Sequence, residues 1–527
     1  MSVTPTSAAE HRFRVNRILN DKRFNERERW QAIWNYVLTQ EIVNGTQFLA
    51  ATDGGLYAVL GGTNEVIPLP RAGRGGDRWH GYFHAKYGIS EREKPAKFLY
   101  DVLRHYVTMQ GTKVDLRRFA TFKADTITAY LSAYNGQMFK IESETEISTI
   151  PNGEDGVFFA DDDRGEPCEP DIGQHGILID RLTDLNFASS GLSGITPEQQ
   201  KMALIIWLFA LALPDLMPTK PILLVEGVKG SGKTTSVTLA QLVLMGAERP
   251  LLLERNREDD FLVILLRAPI ALFDNVDSYI DWVPDKIAAY ATGVAQEKRR
   301  LYTDDEAVVV RPHSFIAISA RNPASFRRDD VADRCVILRL ERRSGFTGMR
   351  LLKRQILDDR PRLFGEYLWY LGRIISELRQ MDEAGEEFGL HETHRMADYA
   401  ALGRVVGRVL GWEQEAVDDL MTALQRERDA FINEEDPLID LLGKWLSYRP
   451  RNGPSNIGRP VNVFQLHAEL ETLAQAGGLM WKDSPRTLAQ KLRSDHIETE
   501  LHVEMYTEGG HKIYRIRRRS DPRLEVV

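Results

Sequence analysis

The run Pro221-Ile222-Leu223-Leu224-Val225-Glu226, continued by Gly227-Val228-Lys229-Gly230-Ser231-Gly232-Lys233-Thr234, decides how the rest of the chain is read. An apolar stretch of strand character breaks into a glycine-rich turn, and a helix-forming segment, Thr235 to Met245, follows at once. The turn fits the phosphate-loop pattern G-x-x-x-x-G-K-[ST] in the strand–loop–helix setting that the pattern needs. Gly227, Gly230 and Gly232 are expected to reach φ > 0 and let backbone N–H groups close around a polyphosphate. The helix opening near Lys233 adds the positive end of its dipole. Lys233 is expected at the β- and γ-phosphates of ATP, and Thr234 at Mg²⁺. Ser231 and Thr235 complete the candidate nucleotide-binding set.

Downstream, apolar strands alternate with helices. Leu251 to Leu253 is a short strand, Asp259 to Leu266 a helix, and Ile270 to Asp274 a buried strand ending in a carboxylate. Pro284 to Thr292 is a helix with Gly293 just past its end, and Ser314 to Ser319 and Cys335 to Leu340 are further buried strands. This alternation predicts a parallel sheet with its site at the C-terminal ends of the strands. Asp274 then stands where a nucleotide hydrolase holds its metal, although Asp is also a favoured helix cap. Asn275 follows where many such enzymes carry a water-polarising glutamate; an amide can orient water but cannot act as a base, and Asp277 is the other nearby carboxylate.

Two β-like runs, Gln296 to Tyr302 and Glu306 to Arg311, flank Thr303-Asp304-Asp305 and make a hairpin ahead of the next core strand. Lys298, Arg299 and Arg300 on it could grip nucleic-acid phosphates in a central pore, or form the solvated edge of an ordinary surface hairpin. Asn322, just past the Ser314 strand, is placed to order the lytic water. Arg334, and after it Arg328, are candidates for an arginine finger delivered to a neighbour's nucleotide; the competing role is surface ion pairing with Asp329, Asp330 or Asp333.

Gly227–Thr234, Phe273-Asp274-Asn275, Ala291-Thr292-Gly293, Arg300-Leu301-Tyr302-Thr303-Asp304-Asp305-Glu306 and Asp333-Arg334 together resemble an AAA+ ATPase family of phages, plasmids and integrated elements. That family is related to superfamily 3 helicases and phage primase–helicases. The resemblance spans about Pro221 to Arg342 and includes the polar Asn275. It implies an ATP-fuelled ring, usually a homo-hexamer, acting as a helicase on single-stranded or forked DNA during replication of the element in a bacterial cytoplasm. Primase signatures of the fused relatives are absent, so a primase or polymerase would be a separate partner.

The remaining chain frames this core. At 527 residues the length predicts about three or four domains. A composition of 43% hydrophobic and 27% charged residues is that of a globular protein, and a net charge of −8 confines any nucleic-acid contact to local basic patches. Two distant cysteines, Cys168 and Cys335, indicate neither a disulfide framework nor a zinc site, as suits a reducing compartment. The longest apolar run, Met202 to Leu213, is too short to span a bilayer and no signal-peptide core is evident, so a soluble intracellular protein is expected.

Residues 1–170 read as an α+β module, with a helix from His11 to Val43 and strands beyond. Within it, Asp161-Asp162-Asp163 resembles half of a two-metal site but reads better as a solvated acidic turn. The α/β ATPase core occupies 171–345 and a helical lid or collar 346–447. Residues 460–519 have the layout of a winged helix. Ser484-Pro485 opens its recognition helix, and Arg486, Lys491, Arg493, Lys512 and Arg515 are its candidate DNA contacts. A protein-interaction role is the alternative for that module.

Overall fold

Five short apolar strands lie side by side in a computed structural model of the chain. It describes all residues except 1–6, 71–76, 161–164, 174, 191–192, 255–256, 278, 292–295, 300–306, 311–312, 344, 346–347, 390–393, 395, 434–436, 449–454, 477–480, 482–483, 494–496, 498–500 and 519–527. In chain order the elements are β1 (Ile222–Gly227), α1 (Lys233–Met245), β2 (Pro250–Leu251), α2 (Glu258–Arg267), β3 (Ile270–Phe273), α3 (Val283–Ala291), β4 (Phe315–Ala320) and β5 (Cys335–Leu340). The spatial order is β2-β3-β4-β1-β5, and every pairing is parallel. The C-termini of the strands therefore share one edge, with the turn after β1 flanked by the ends of β4 and β5.

A parallel sheet is covered on both faces, which is why these strands are apolar throughout instead of alternating. One face, carrying Leu223, Val225, Leu272, Ala317 and Leu338, packs into the largest core. That core also takes in Pro197–Ala210 and the helices Met349–Glu383 and Ala397–Leu410. On the other face Phe261 of α2 stacks on Phe273, their ring centroids 5.7 Å apart.

The front of the chain departs from the single module expected over 1–170. The helix anticipated from His11 to Val43 is two helices, Ala8–Leu19 and Glu26–Val43. Asn25 stops the run between them: its side chain accepts from the Glu28 N–H, and the Glu28 carboxylate reaches back to the Asn25 N–H, a reciprocal cap that restarts the helix. These helices, with Asp77–Tyr87 and Lys94–Gln110, cover a four-stranded sheet ordered Val66–Pro68, Leu56–Val59, Gln47–Ala51, Thr112–Val114. Glu41 is buried there and its carboxylate oxygens are satisfied by its neighbours: Tyr82, Tyr87, Lys86 and Thr46 all donate to it.

A second, antiparallel sheet (Ala120–Lys123, Thr128–Ser132, Gln137–Ile141, Ile147–Pro151) belongs instead to the central core, where Phe139 meets Phe364 edge-on. Residues 161–163, the acidic triplet, lie outside the described residues.

The chain divides into two compact units, Met1–Leu424 and Gln425–Val527. Helix Pro437–Ser447, expected within the helical lid, buries Leu438, Leu441, Leu442 and Trp445 in the core of the second unit. That unit adds helices Val463–Ala476 and Pro485–Lys491 and a three-stranded sheet ordered Val461–Asn462, His511–Arg518, Leu501–Glu508. No helix among the described residues is long and apolar enough to cross a membrane.

Candidate active site

The turn after β1 is built from glycines that are needed for two different reasons. Gly230 (φ +82°) and Gly232 (φ +93°) take the left-handed backbone expected of them. Gly227 does not, contrary to expectation. It must be glycine because a Cβ there would collide with the Leu340 carbonyl oxygen of β5 and lie 2.7 Å from Ser231 Oγ. The glycine is thus a spacer between two strands.

Lys233 is the first residue of α1 and its ammonium folds back over the turn, donating to Gly227 O at 2.7 Å and Val228 O at 3.2 Å. Burial pulls this ammonium below the usual lysine range; Asp277 and Asp274 oppose the shift, and Arg321 adds to it. Ser231 is buried and Thr235 half-buried alongside.

Thr234 points to the tip of β3, where its hydroxyl donates to Asp274 Oδ1 at 2.6 Å. The buried Ser319 of β4 also donates to that oxygen and stands 3.2 Å from Thr234 Oγ1. Oδ2 of Asp274 accepts from Asn275 Nδ2 at 3.2 Å. A hydroxyl and a carboxylate held this close are hard oxygen donors of the kind Mg²⁺ prefers, with water completing its shell. Two carbonyls engaging a lysine are contacts that phosphate oxygens can replace, so these residues fit a magnesium–nucleotide.

Asn322 lies just beyond β4. Its backbone N–H donates to Asp277 Oδ1 at 3.3 Å, and Arg327 Nη2 is 3.4 Å from its side-chain oxygen. Glu226, at the end of β1, pairs with Arg339 of β5 at 3.3 Å and lies 4.0 Å from Arg327. Arg321, Arg339, Glu226 and Val228 border an open cleft of about 480 Å³ beside the turn. Ser319, Arg321, Glu226 and Arg339 were not singled out as site residues from the sequence. Ser319 carried one signal, a polar residue inside an otherwise apolar strand; the Glu226–Arg339 pair carried none, since it forms only when β5 docks on β1.

The two finger candidates part company. The Arg334 carbonyl accepts from the Ile222 N–H at 2.8 Å, which puts it at the start of β1 and the opposite edge of the sheet from Gly227. At ~3.3 Å per residue that is on the order of 17 Å along the strand from its own glycine turn. Its guanidinium donates to the Asp330 carbonyl. Arg328 is held by Asp330 and by Asp285, each at 2.6 Å, the ion-paired arrangement weighed against a finger.

Lys298 and Arg299 sit on strand Gln296–Arg299, paired antiparallel with Ala307–Val310, so a hairpin exists where one was expected. Its tip, with Arg300 and the segment through Glu306, lies outside the described residues, as do Thr292 and Gly293. In the second unit Ser484 caps its helix, accepting from the Thr487 N–H at 3.1 Å. Arg486, Arg493 and Lys512 are exposed and Lys491 half-buried. Arg515 lies over the Tyr506 ring, 5.0 Å from its centroid, while its neighbours Tyr514 and Ile516 point to the core.

No curated protein matches the chain at a significant level. Among solved structures it is similar to the apo C-terminal region of NrS-1 in its A form. That match has 11% identity over 92% of this chain and 98% of that one, with a TM-score of 0.42. It is also similar to the active helicase SCCmec type IV Cch, at 11% identity over 90% and 92% of the two chains and a TM-score of 0.41. Residues 183–407, which carry Lys233, Asp274, Asn322 and Arg334, match the family model of the actinomycete integrative conjugative element replication protein, AICE_RepA, so the similarity at the site is to a replication protein of a mobile element.

Proposed function

We propose that the chain is an ATP-hydrolysing DNA helicase or translocase that works as a homo-hexameric ring in replicating a mobile element. The observation that carries the reading is the meeting of Thr234 and Ser319 at Asp274 Oδ1, next to a Lys233 whose ammonium lies on the carbonyls of the glycine turn. ATP would lie along the turn with its terminal phosphates at Lys233, and Thr234 and Asp274 would hold Mg²⁺, which would offset the charge of the phosphates. Asn322 would order water at the same edge of the sheet. Arg334, at the far edge of its own sheet, would serve the nucleotide of an adjoining copy. Lys298, Arg299 and Arg300 of the hairpin would follow DNA phosphates through the ring. The second unit, read as a winged helix, would hold duplex DNA through Arg486, Lys491, Arg493, Lys512 and Arg515.

The test is turnover of ATP by the full chain with and without single-stranded DNA, together with strand separation on a forked duplex. DNA is expected to stimulate hydrolysis, and Lys233→Ala to abolish both activities. Asn275 favours one competing reading, a DNA-binding scaffold that senses nucleotide with negligible turnover, because an amide replaces the usual carboxylate. Stimulated hydrolysis excludes the scaffold. Hydrolysis without strand separation would leave an ATPase that loads or remodels a partner.

A further inference from the structure

If ATP is hydrolysed here, a group must accept a proton from the attacking water, and Asn275 cannot. Its side-chain amide has no basicity and its Nδ2 is engaged with Asp274. What Asn275 does have is a left-handed backbone, φ +57°. Asn is one of the few residues other than glycine that enters this region at small cost. The turn it makes folds the chain across the tip of β4: the Val276 N–H donates to Ser319 O at 3.1 Å, and the Ile280 N–H to Ser325 Oγ at 2.8 Å. Between these two anchors Asp277 is carried to the end of β4.

There Asp277 Oδ1 accepts the backbone N–H groups of both Arg321 and Asn322. Among the described residues Oδ2 accepts no hydrogen bond. Asp274 offers no such freedom, since Thr234 and Ser319 occupy one of its oxygens and Asn275 the other. The charges of Asp277 and Asp274 both act on the Lys233 ammonium. A carboxylate with one oxygen pinned to the backbone beside Asn322 and the other accepting no hydrogen bond among the described residues is equipped to act as a general base.

We propose that Asp277 is the catalytic base of the site, standing in for the glutamate that Asn275 replaces; the assignment rests on the ATP-hydrolysis reading above. In the step, the water oxygen bonds to the γ-phosphorus. The bond from that phosphorus to the bridging oxygen breaks, and its electron pair leaves with ADP. The proton released by the water goes to Asp277 Oδ2 and from there to solvent, giving ADP and inorganic phosphate. Asn275 supplies the turn that brings the base into position.

Asp277→Asn tests this cleanly, because the amide oxygen can still accept from Arg321 and Asn322 while the basicity is lost. In the full chain with DNA and Mg²⁺, turnover is expected to fall about 100-fold or more, the range of general-base contributions. Affinity for a fluorescent ATP analogue should stay within about twofold of wild type, and ATP recovered from the protein on a filter should be unhydrolysed. Turnover within about threefold of wild type overturns the assignment. So does loss of ATP affinity along with turnover, which would make Asp277 a residue that only supports the loop. A wild-type chain without turnover, or unimpaired turnover in Lys233→Ala, overturns the hydrolysis reading itself and Asp277 with it.

Discussion

Lys220 shows what one side chain can cost a fold. It precedes β1, is 8% exposed, and among the described residues its ammonium hydrogen-bonds only the Met217 carbonyl, at 3.3 Å. Burial brings its pKa down to about 8, against the pull of Asp215 in the other direction. An unfolded lysine titrates near ~10.4, so the folded value is the depressed one. Stability is therefore greatest above that unfolded value and is lost as pH falls through about 8, where the folded chain must hold a buried charge. The shift corresponds to about 3 kcal/mol, part of which the nearby Asp215 would forfeit if the charge were removed. Lys220→Met is thus expected to raise urea stability at pH 7 by about 1–3 kcal/mol, with the gain shrinking as pH rises from 8 toward 10. A constant difference across that range would show that Lys220 titrates normally.

Short elements here depend on their ends more than on their lengths. The helix Pro485–Lys491 has seven residues, too few to persist on propensity, and combines a serine cap, a proline at its first position and one buried residue, Leu488. Ser484→Ala removes the bond to the Thr487 N–H and is expected to cost about 1 kcal/mol in thermal unfolding of the second unit. It should also weaken DNA binding if this helix enters the groove; unchanged melting would mean that Leu488 and Leu492 alone hold the helix. Ser484-Pro485 was legible as a helix start. Asn25-x-x-Glu28 was equally legible, yet the apolar periodicity on both sides concealed it.

The arrangement of the sheet makes one demand on the assembly. Because β5 runs parallel to β1, Arg334 and Gly227 lie at opposite edges, and no side-chain motion within one copy brings them together. If the site is completed by a neighbour, Lys233→Ala and Arg334→Ala chains are each inactive alone. In an equal mixture a head-to-tail ring would hold intact seams at about one interface in four, so about a quarter of wild-type turnover is expected on mixing. A mixture no more active than its components would place hydrolysis within a single copy.

Local chemistry made much of this protein readable in advance. The strand–turn–helix at Pro221–Met245, Asp274 at a strand tip, the hairpin at Gln296–Val310 and the capped helix at Ser484 are each specified by residues within about two dozen positions of one another. Contacts between distant segments were not readable, because neither partner carries a mark of the other. Gly227 is a spacer only because Leu340 arrives beside it. Phe119 to Ile141 joins the central core, and Pro437–Ser447 the second unit, because the apolar faces that receive them are assembled from elsewhere in the chain. Asp277 is three residues past Asp274 at a recognisable strand end, yet its role depends on N–H groups that come from 44 and 45 residues further on, delivered by the pairing of β3 with β4.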